Sequence, residues 1–220
     1  VAVVGKSTWE VMKAREALHV AYEKEAELES SADHDRIFKE LMKSGEAQVK
    51  RKDGDTAAAF ATANKIVEAE YQCPFLSHAP MEPMACTARV EGAGAGIWAG
   101  TQDPLNARAT AAEALGLEPG LVKVTNLLLG GGFGRKSKPD YCAEAAILSK
   151  QLGKPVKVVW TREDDIRFDY YHSTAAVYEK AAVDGRGRPT AWLQRSVFPP
   201  IAAMFDASAQ HGMPDELELG

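Results

Sequence analysis

Cysteine is scarce in this chain: Cys73, Cys86 and Cys142 are an odd number, and no two form a CxxC pair. Zinc sites and disulfide frameworks need paired, closely spaced cysteines, and an iron–sulfur cluster needs four ligands, so these three cysteines build none of them. They read instead as small, mostly buried side chains. The histidines His19, His34, His78, His172 and His211 show neither HExxH nor H-x3-H spacing, so no protein-ligated metal site follows. No apolar run approaches the roughly 20 residues needed to cross a bilayer. Positive charge is not in excess either: 26 Lys and Arg stand against 31 Asp and Glu, a net charge of −5. That balance excludes a basic face for nucleic acid. The densest charge, at 23–29 and 50–55, reads as a solvated helix end and a polar turn. The chain opens at Val1 in an apolar run without a signal-peptide pattern, and composition fixes no compartment.

What is present is ordinary globular material, 45% hydrophobic and 26% charged over 220 residues, enough for one large domain or two small ones. Ser7-Thr8-Trp9-Glu10 has capping-box form for a helix to about Leu18. Asp33–Lys43 reads as a helix with Gly45 just past its end, and Thr56–Ala63 as a short one. Strands are expected at Val1–Val4, His19–Tyr22, Ala47–Arg51, Lys65–Gln72, Ala85–Glu91 and Ile97–Ala99. Thr101 or Asp103 caps a helix that has Pro104 in its first turn and Gly116 beyond its end. Val122–Leu129 is apolar enough for a strand buried on both faces, and Val156–Thr161 reads the same way. Pro139–Leu152 is a helix between them. Ala175–Val183 and Thr190–Val197 form a hairpin around Asp184–Pro189. The pattern predicts an α+β fold of mixed sheets and packed helices, with at least one β–α–β unit. The tail 206–220 has little pattern.

Four of the five residues Gly130-Gly131-Gly132-Phe133-Gly134 are glycines, set between a strand and a helix. Glycine costs backbone entropy, so such clustering implies positive φ or a very close approach. Successive N–H groups in such a turn form an anion nest, the helix beyond adds its dipole, and Arg135 and Lys136 add full charges. The loop therefore reads as a holder of an anionic ligand bearing phosphate or oxo groups. A tight turn that binds nothing is the plainer alternative. A dinucleotide fingerprint fails, because Arg135 stands where the third glycine belongs. A phosphate-binding nucleotide loop comes within one residue, failing at Arg135 but keeping Lys136 and Ser137, so a degenerate nucleotide-binding protein stays open.

GGGFGRK resembles the glycine loop of the large subunit of molybdenum hydroxylases, the xanthine dehydrogenase and aldehyde oxidase family. The surrounding order agrees. Thr101-Gln102 resembles that family's Thr-Gln step, about thirty residues before the loop. Residues 139–164 resemble the segment after it. His78-Ala79-Pro80-Met81-Glu82-Pro83-Met84-Ala85-Cys86 is similar to the version in isoquinoline 1-oxidoreductase beta subunits, and Val1–Tyr22 to the run leading into the domain. The resemblance implies a molybdopterin-binding domain of the aldehyde oxidoreductase type over 23–220, with 1–22 ending a preceding α/β segment. It implies molybdenum held by a pterin, in its cytosine dinucleotide form, with Gln102, Gly131, Gly132, Phe133, Gly134 and Arg135 as cofactor-binding residues. Gln102 would donate its amide to the cofactor, and Phe133 and Gly134 would lie beside the metal centre with their N–H groups on cofactor acceptors. The activity implied is hydroxylation of an N-heteroaromatic compound or aldehyde with water-derived oxygen. Electrons would leave through iron–sulfur clusters on a partner subunit.

Two departures qualify this. Purine-oxidising relatives carry a glutamate where this chain has Ser137, which disfavours purines. The family's general-base glutamate lies far beyond the part matched here, and neither Glu216 nor Glu218 takes its role. No catalytic residue is thus assigned, and the isolated segment is expected to be inactive. The resemblance points to the bacterial periplasm, with the cytoplasm left open.

Other residues invite weaker readings. His78 reads as a loop histidine bonded to backbone ahead of one facing a substrate, and His172 as a strand residue or a cofactor neighbour. Met81 and Met84 are expected to pack against apolar neighbours, and Trp98 and Trp160 to be core. Glu82 is either a buried acid with a shifted pKa or a solvated one.

Overall fold

The computed structural model describes residues 1–23, 26–44, 47–206, 208, 209 and 212. Glu216, Glu218, His211, Gly45 and most of the tail lie outside them. Ser7 and Glu10 close the expected capping box at the start of α1 (Thr8–Glu16), which buries none of its own residues and is tied to the rest by Arg15 on Asp164. Ser30 and Asp33 close another on α2 (Ser31–Lys43), whose Phe38 is buried. Asp55 caps α3 (Thr56–Ala61). The strands expected at 1–4, 19–22 and 47–51 do not form; those residues are almost all exposed and lie beside no other strand. An unpaired extended segment gains nothing over water, so apolar alternation alone does not make it a strand.

Two sheets carry the fold. One orders β1 (Lys65–Cys73), β6 (Ala175–Val183) and β7 (Pro189–Val197) as β1-β6-β7, all antiparallel. Asp184 shapes the β6–β7 turn by accepting from the N–H groups of Arg186 and Arg188. The other sheet contains β2 (Ala85–Glu91), β3 (Gly94–Ala99), β4 (Val122–Asn126) and β5 (Val156–Val159), in the order β4-β3-β2-β5. β3 and β4 run parallel, joined by α4 (Pro104–Leu115), which is the expected β–α–β unit. Asp103 is the cap of α4, and Gly116 ends it in the left-handed conformation.

The core lies between this second sheet and the pair α4 and α5 (Asp140–Leu152). Alanines face inward at Ala107, Ala111 and Ala112 on α4 and at Ala145 and Ala146 on α5. Small side chains let both helices approach the strands closely, and Met84, Ile97 and Tyr141 fill the remaining volume. The α+β class is as expected, but β4 and β5 are the edge strands rather than doubly buried ones. β4 stops at Asn126; Leu127 donates to Ala99, and the chain then leaves the sheet for the glycine loop. Trp160 is buried and its Nε1 donates to Glu144. Trp98 lies on the outer face, over Gly96, where a Cβ would stand 2.7 Å from the indole. It is 37% exposed, not core.

Candidate functional site: the glycine loop

Between β4 and α5 the backbone takes three positive φ values, at Gly131 (92°), Phe133 (54°) and Gly134 (97°). For Phe133 that conformation costs on the order of 1–3 kcal/mol, which the surroundings must enforce. Glu82 does part of this from outside: its N–H donates to the Gly130 carbonyl at 3.0 Å, and its carboxylate accepts from the Gly130 N–H at 2.9 Å. Lys136 Nζ donates to the same carboxylate at 2.6 Å. Inside the loop, Gly132 accepts from the Arg135 N–H and Gly134 from that of Ser137. The Phe133 ring folds back over Gly131 and stays 67% exposed. Partial burial opposes the Glu82 charge, but the hydrogen bonds from Gly130 and Lys136 outweigh it and hold this carboxyl below its usual range. Glu82 is thus a structural clamp rather than either of the acids expected.

The Thr-Gln step fixes the loop from the other side. The buried Thr101 hydroxyl donates to the Lys136 carbonyl at 2.9 Å, the Gln102 N–H donates to the same carbonyl, and Asn106 Nδ2 donates to Ser137. Gln102 Oε1 accepts from the Gly134 N–H at 2.9 Å. That bond assigns the amide: its oxygen faces the loop, so its NH2 is left for another partner. A Cβ on Gly132 would collide with this amide, and one on Gly130 would stand 2.7 Å from the Cβ of Glu82. The N–H groups of Gly131, Gly132 and Phe133 have no hydrogen-bond partner among the described residues. Three successive free donors beside a free amide form a concentrated donor patch, which is an anion nest. The Gly134 N–H, expected on a cofactor acceptor, is instead engaged by Gln102.

Arg135 and Lys136 do not reach that patch. The Arg135 guanidinium is fully buried, paired with Asp140 at 2.9 and 3.0 Å and bonded to the Lys138 carbonyl. Its Nε lies 3.1 Å from Asp169 Oδ1, an ion pair without hydrogen-bond alignment. Its planar group lies over the rings of Trp160 and Tyr170. The sequence counted both cations toward the ligand; the fold neutralises them on Asp140, Asp169 and Glu82. This also removes the nucleotide-loop reading, since Lys136 is buried against Glu82 and cannot reach a phosphate. A 3-10 turn at Arg135–Ser137 precedes α5, which starts only at Asp140, so no helix follows the loop directly.

Sequence reasoning missed Asp169. Its fully buried carboxylate also accepts from Ser77 Oγ, from the His78 N–H at 2.5 Å and from His78 Nδ1 at 3.0 Å. The sequence singles out His172, three residues on, and nothing there marks this carboxylate. His78 is therefore held by a side chain rather than by backbone, and His172 stacks on it with ring centroids 4.0 Å apart. Met84 is buried as expected, whereas Met81 stands exposed. Among the described residues no cluster of His, Cys, Asp or Glu could hold a metal ion.

A donor-rich loop without side-chain metal ligands suits a metal carried by an organic cofactor, and the comparisons agree. The family model described as a molybdopterin cofactor-binding domain matches residues 38–198. The chain belongs to that family. It is 34% identical over 194 residues to the isoquinoline 1-oxidoreductase subunit beta of Brevundimonas diminuta, covering 83% of this chain and 25% of that protein. It is 32% identical over 218 residues to the membrane-bound aldehyde dehydrogenase [pyrroloquinoline-quinone] of Gluconacetobacter polyoxogenes, covering 97% of this chain and 28% of that one. The chain thus spans about a quarter of the length of these relatives. Among solved structures, quinoline 2-oxidoreductase of Pseudomonas putida 86 aligns with a TM-score of 0.56 at 28% identity, covering 64% of this chain and 18% of that one. The aldehyde oxidoreductase of Desulfovibrio gigas aligns with a TM-score of 0.60 at 23% identity, over 70% of this chain and 17% of that one, and so supports the fold. The molybdopterin-binding domain of the molybdenum hydroxylases, anticipated from GGGFGRK, is what this chain folds into.

The site's residues fit such a cofactor. The free N–H groups of 131–133 offer donors to oxo or phosphate oxygens, the Gln102 amide is aimed by Gly134, and glycine at 132 leaves the room that amide occupies. No helix of the described residues is long and apolar enough to cross a membrane.

Proposed function

We propose that this domain is the first part of the cofactor-binding portion of a larger oxidoreductase subunit, led into by residues 1–22. That enzyme hydroxylates an N-heteroaromatic compound or an aldehyde with oxygen from water. The observation that carries the reading is the donor patch of Gly131, Gly132 and Phe133 beside the oriented Gln102 amide. The molybdenum cofactor, in its cytosine dinucleotide form, supplies two-electron oxidation chemistry when bound. The chain's own part is to hold and orient it. Gln102 would donate its NH2 to the bound group, and the three loop N–H groups, with Phe133 among them, would offset its negative charge. Arg135, assigned to the cofactor from sequence, contributes by fixing the loop's exit from beneath.

Ser137 supports the choice of substrate. Its backbone N–H bonds to Gly134, and its short side chain supplies no carboxylate for a purine's polar edge. Electrons pass to iron–sulfur clusters on a partner subunit, and the general base comes from outside this domain, so the isolated segment is inactive. Of the periplasm and the cytoplasm, the periplasm is the compartment we propose. The test is a substrate panel on the full-length subunit with its partner, run in 18O-labelled water. N-heterocycle or aldehyde turnover with label in the product is expected. Preferential turnover of xanthine, or unlabelled product, would contradict the assignment.

A further inference from the structure

One side chain aimed at the loop has no role so far. His78 sits before β2 with its side chain 8% exposed, and three contacts fix its ring. Nδ1 lies 3.0 and 3.1 Å from the two Asp169 oxygens, the backbone N–H of the same residue is bonded to Asp169, and His172 stacks on one ring face. Asp169 pairs with Arg135 and accepts every bond it makes, so Nδ1 must carry the hydrogen. Nε2 is then the ring nitrogen left to meet a ligand. That atom has no hydrogen-bond partner among the described residues. It points at Gly134: a Cβ there would stand 3.7 Å from it, with no other atom within 4 Å. Gln102 takes the N–H of Gly134, so the two side chains meet the same residue from different directions.

The imidazole is largely buried and oriented by a carboxylate, and it turns its one unpartnered nitrogen, which solvent reaches, toward the loop. The geometry points to His78 as a further cofactor-contacting residue, whose Nε2 hydrogen-bonds to the group held by the loop. The inference rests on the cofactor reading above. In it Asp169 is a positioning residue: it sets the tautomer, and through Arg135 it ties the ring to the loop's exit. Carboxylate partners of this kind fix ring orientation and basicity at metal sites generally. The loop N–H groups, the Gln102 amide and His78 Nε2 together offer polar contacts from several directions, which suits a ligand with many polar atoms.

Two variants separate the free nitrogen from the ring's structural contacts. His78→Asn keeps a donor near the Nδ1 position for Asp169 and deletes the polar nitrogen at Nε2. His78→Gln lacks the first but reaches the second. Molybdenum and released pterin are measured per full-length subunit, with the apo melting temperature of each variant. The expected result is a loss of retained cofactor on the order of tenfold in His78→Asn, with substantial recovery in His78→Gln. Wild-type loading in His78→Asn, or equal loss in both variants at unchanged melting temperature, would overturn the inference. If His78→Asn does not fold, the wild-type protein still decides. Diethyl pyrocarbonate should modify His78 in cofactor-free protein and fail to do so in loaded protein, and equal labelling of both forms would refute the contact. Wild-type protein that never loads molybdenum would instead count against the cofactor reading itself.

Discussion

Gly132 shows at the scale of one residue why the loop is so rich in glycine. A single added carbon there would displace the Gln102 amide, whose oxygen is held by Gly134. Gly132→Ala is therefore expected to leave the fold intact, by circular dichroism, while lowering molybdenum content severalfold. Cofactor retention equal to wild type would remove the amide's importance. Gln102→Ala deletes the donor itself and should cost on the order of 100-fold in turnover, as loss of one oriented donor does elsewhere. Asp169 is the opposite kind of residue, buried and holding Arg135, Ser77 and His78. Asp169→Asn leaves the Arg135 guanidinium short of one counter-charge and should cost roughly 3–5 kcal/mol in denaturant unfolding. A change within experimental scatter would show that Asp140 alone neutralises Arg135.

At the scale of elements, the loop is a clamped segment between an edge strand and a helix. Its entry is held by Glu82 and its exit by Thr101 and Asn106. Glu82 gives the clamp a pH dependence. Its folded pKa lies below the ordinary carboxylate value, so its contribution is complete above that value and is lost as pH falls through the lower, folded one. Glu82→Gln should lower the melting temperature near neutral pH, where Lys136 loses its partner, and flatten the acid decline in melts between about pH 3 and 8. An unchanged acid limb would place that decline in other carboxylates. The helices were legible because capping chemistry is local: Ser7, Asp103 and Gly116 each do what their type favours. Strand existence in the first fifty residues was not, since pairing is a tertiary property that alternation cannot supply. The edge positions of β4 and β5 were hidden for the same reason. The glycine loop was legible as a turn that needs positive φ and close approach, yet the destination of Arg135 and Lys136 was not. Their partners Glu82, Asp140 and Asp169 are distant or unremarked in sequence, and only the fold shows that the charges close on one another.

The whole molecule leaves much apolar surface uncovered. Leu128, Phe133 and Met81 are exposed, and the β1-β6-β7 sheet exposes Ile66, Val67, Tyr71 and Trp192. Exposed apolar side chains in this number favour association. The isolated domain is expected to bind ANS and to self-associate in size-exclusion chromatography, and a strictly monomeric, ANS-negative domain would contradict this. The central claim, that the loop is built to hold a molybdenum cofactor, is tested most directly by assaying metal and pterin nucleotide in the full-length subunit co-expressed with the proposed iron–sulfur partner. Near-stoichiometric molybdenum with pterin cytosine dinucleotide, falling in Gln102→Ala and Gly134→Val, is the predicted result. No molybdenum, under conditions where a related enzyme loads fully, would contradict it.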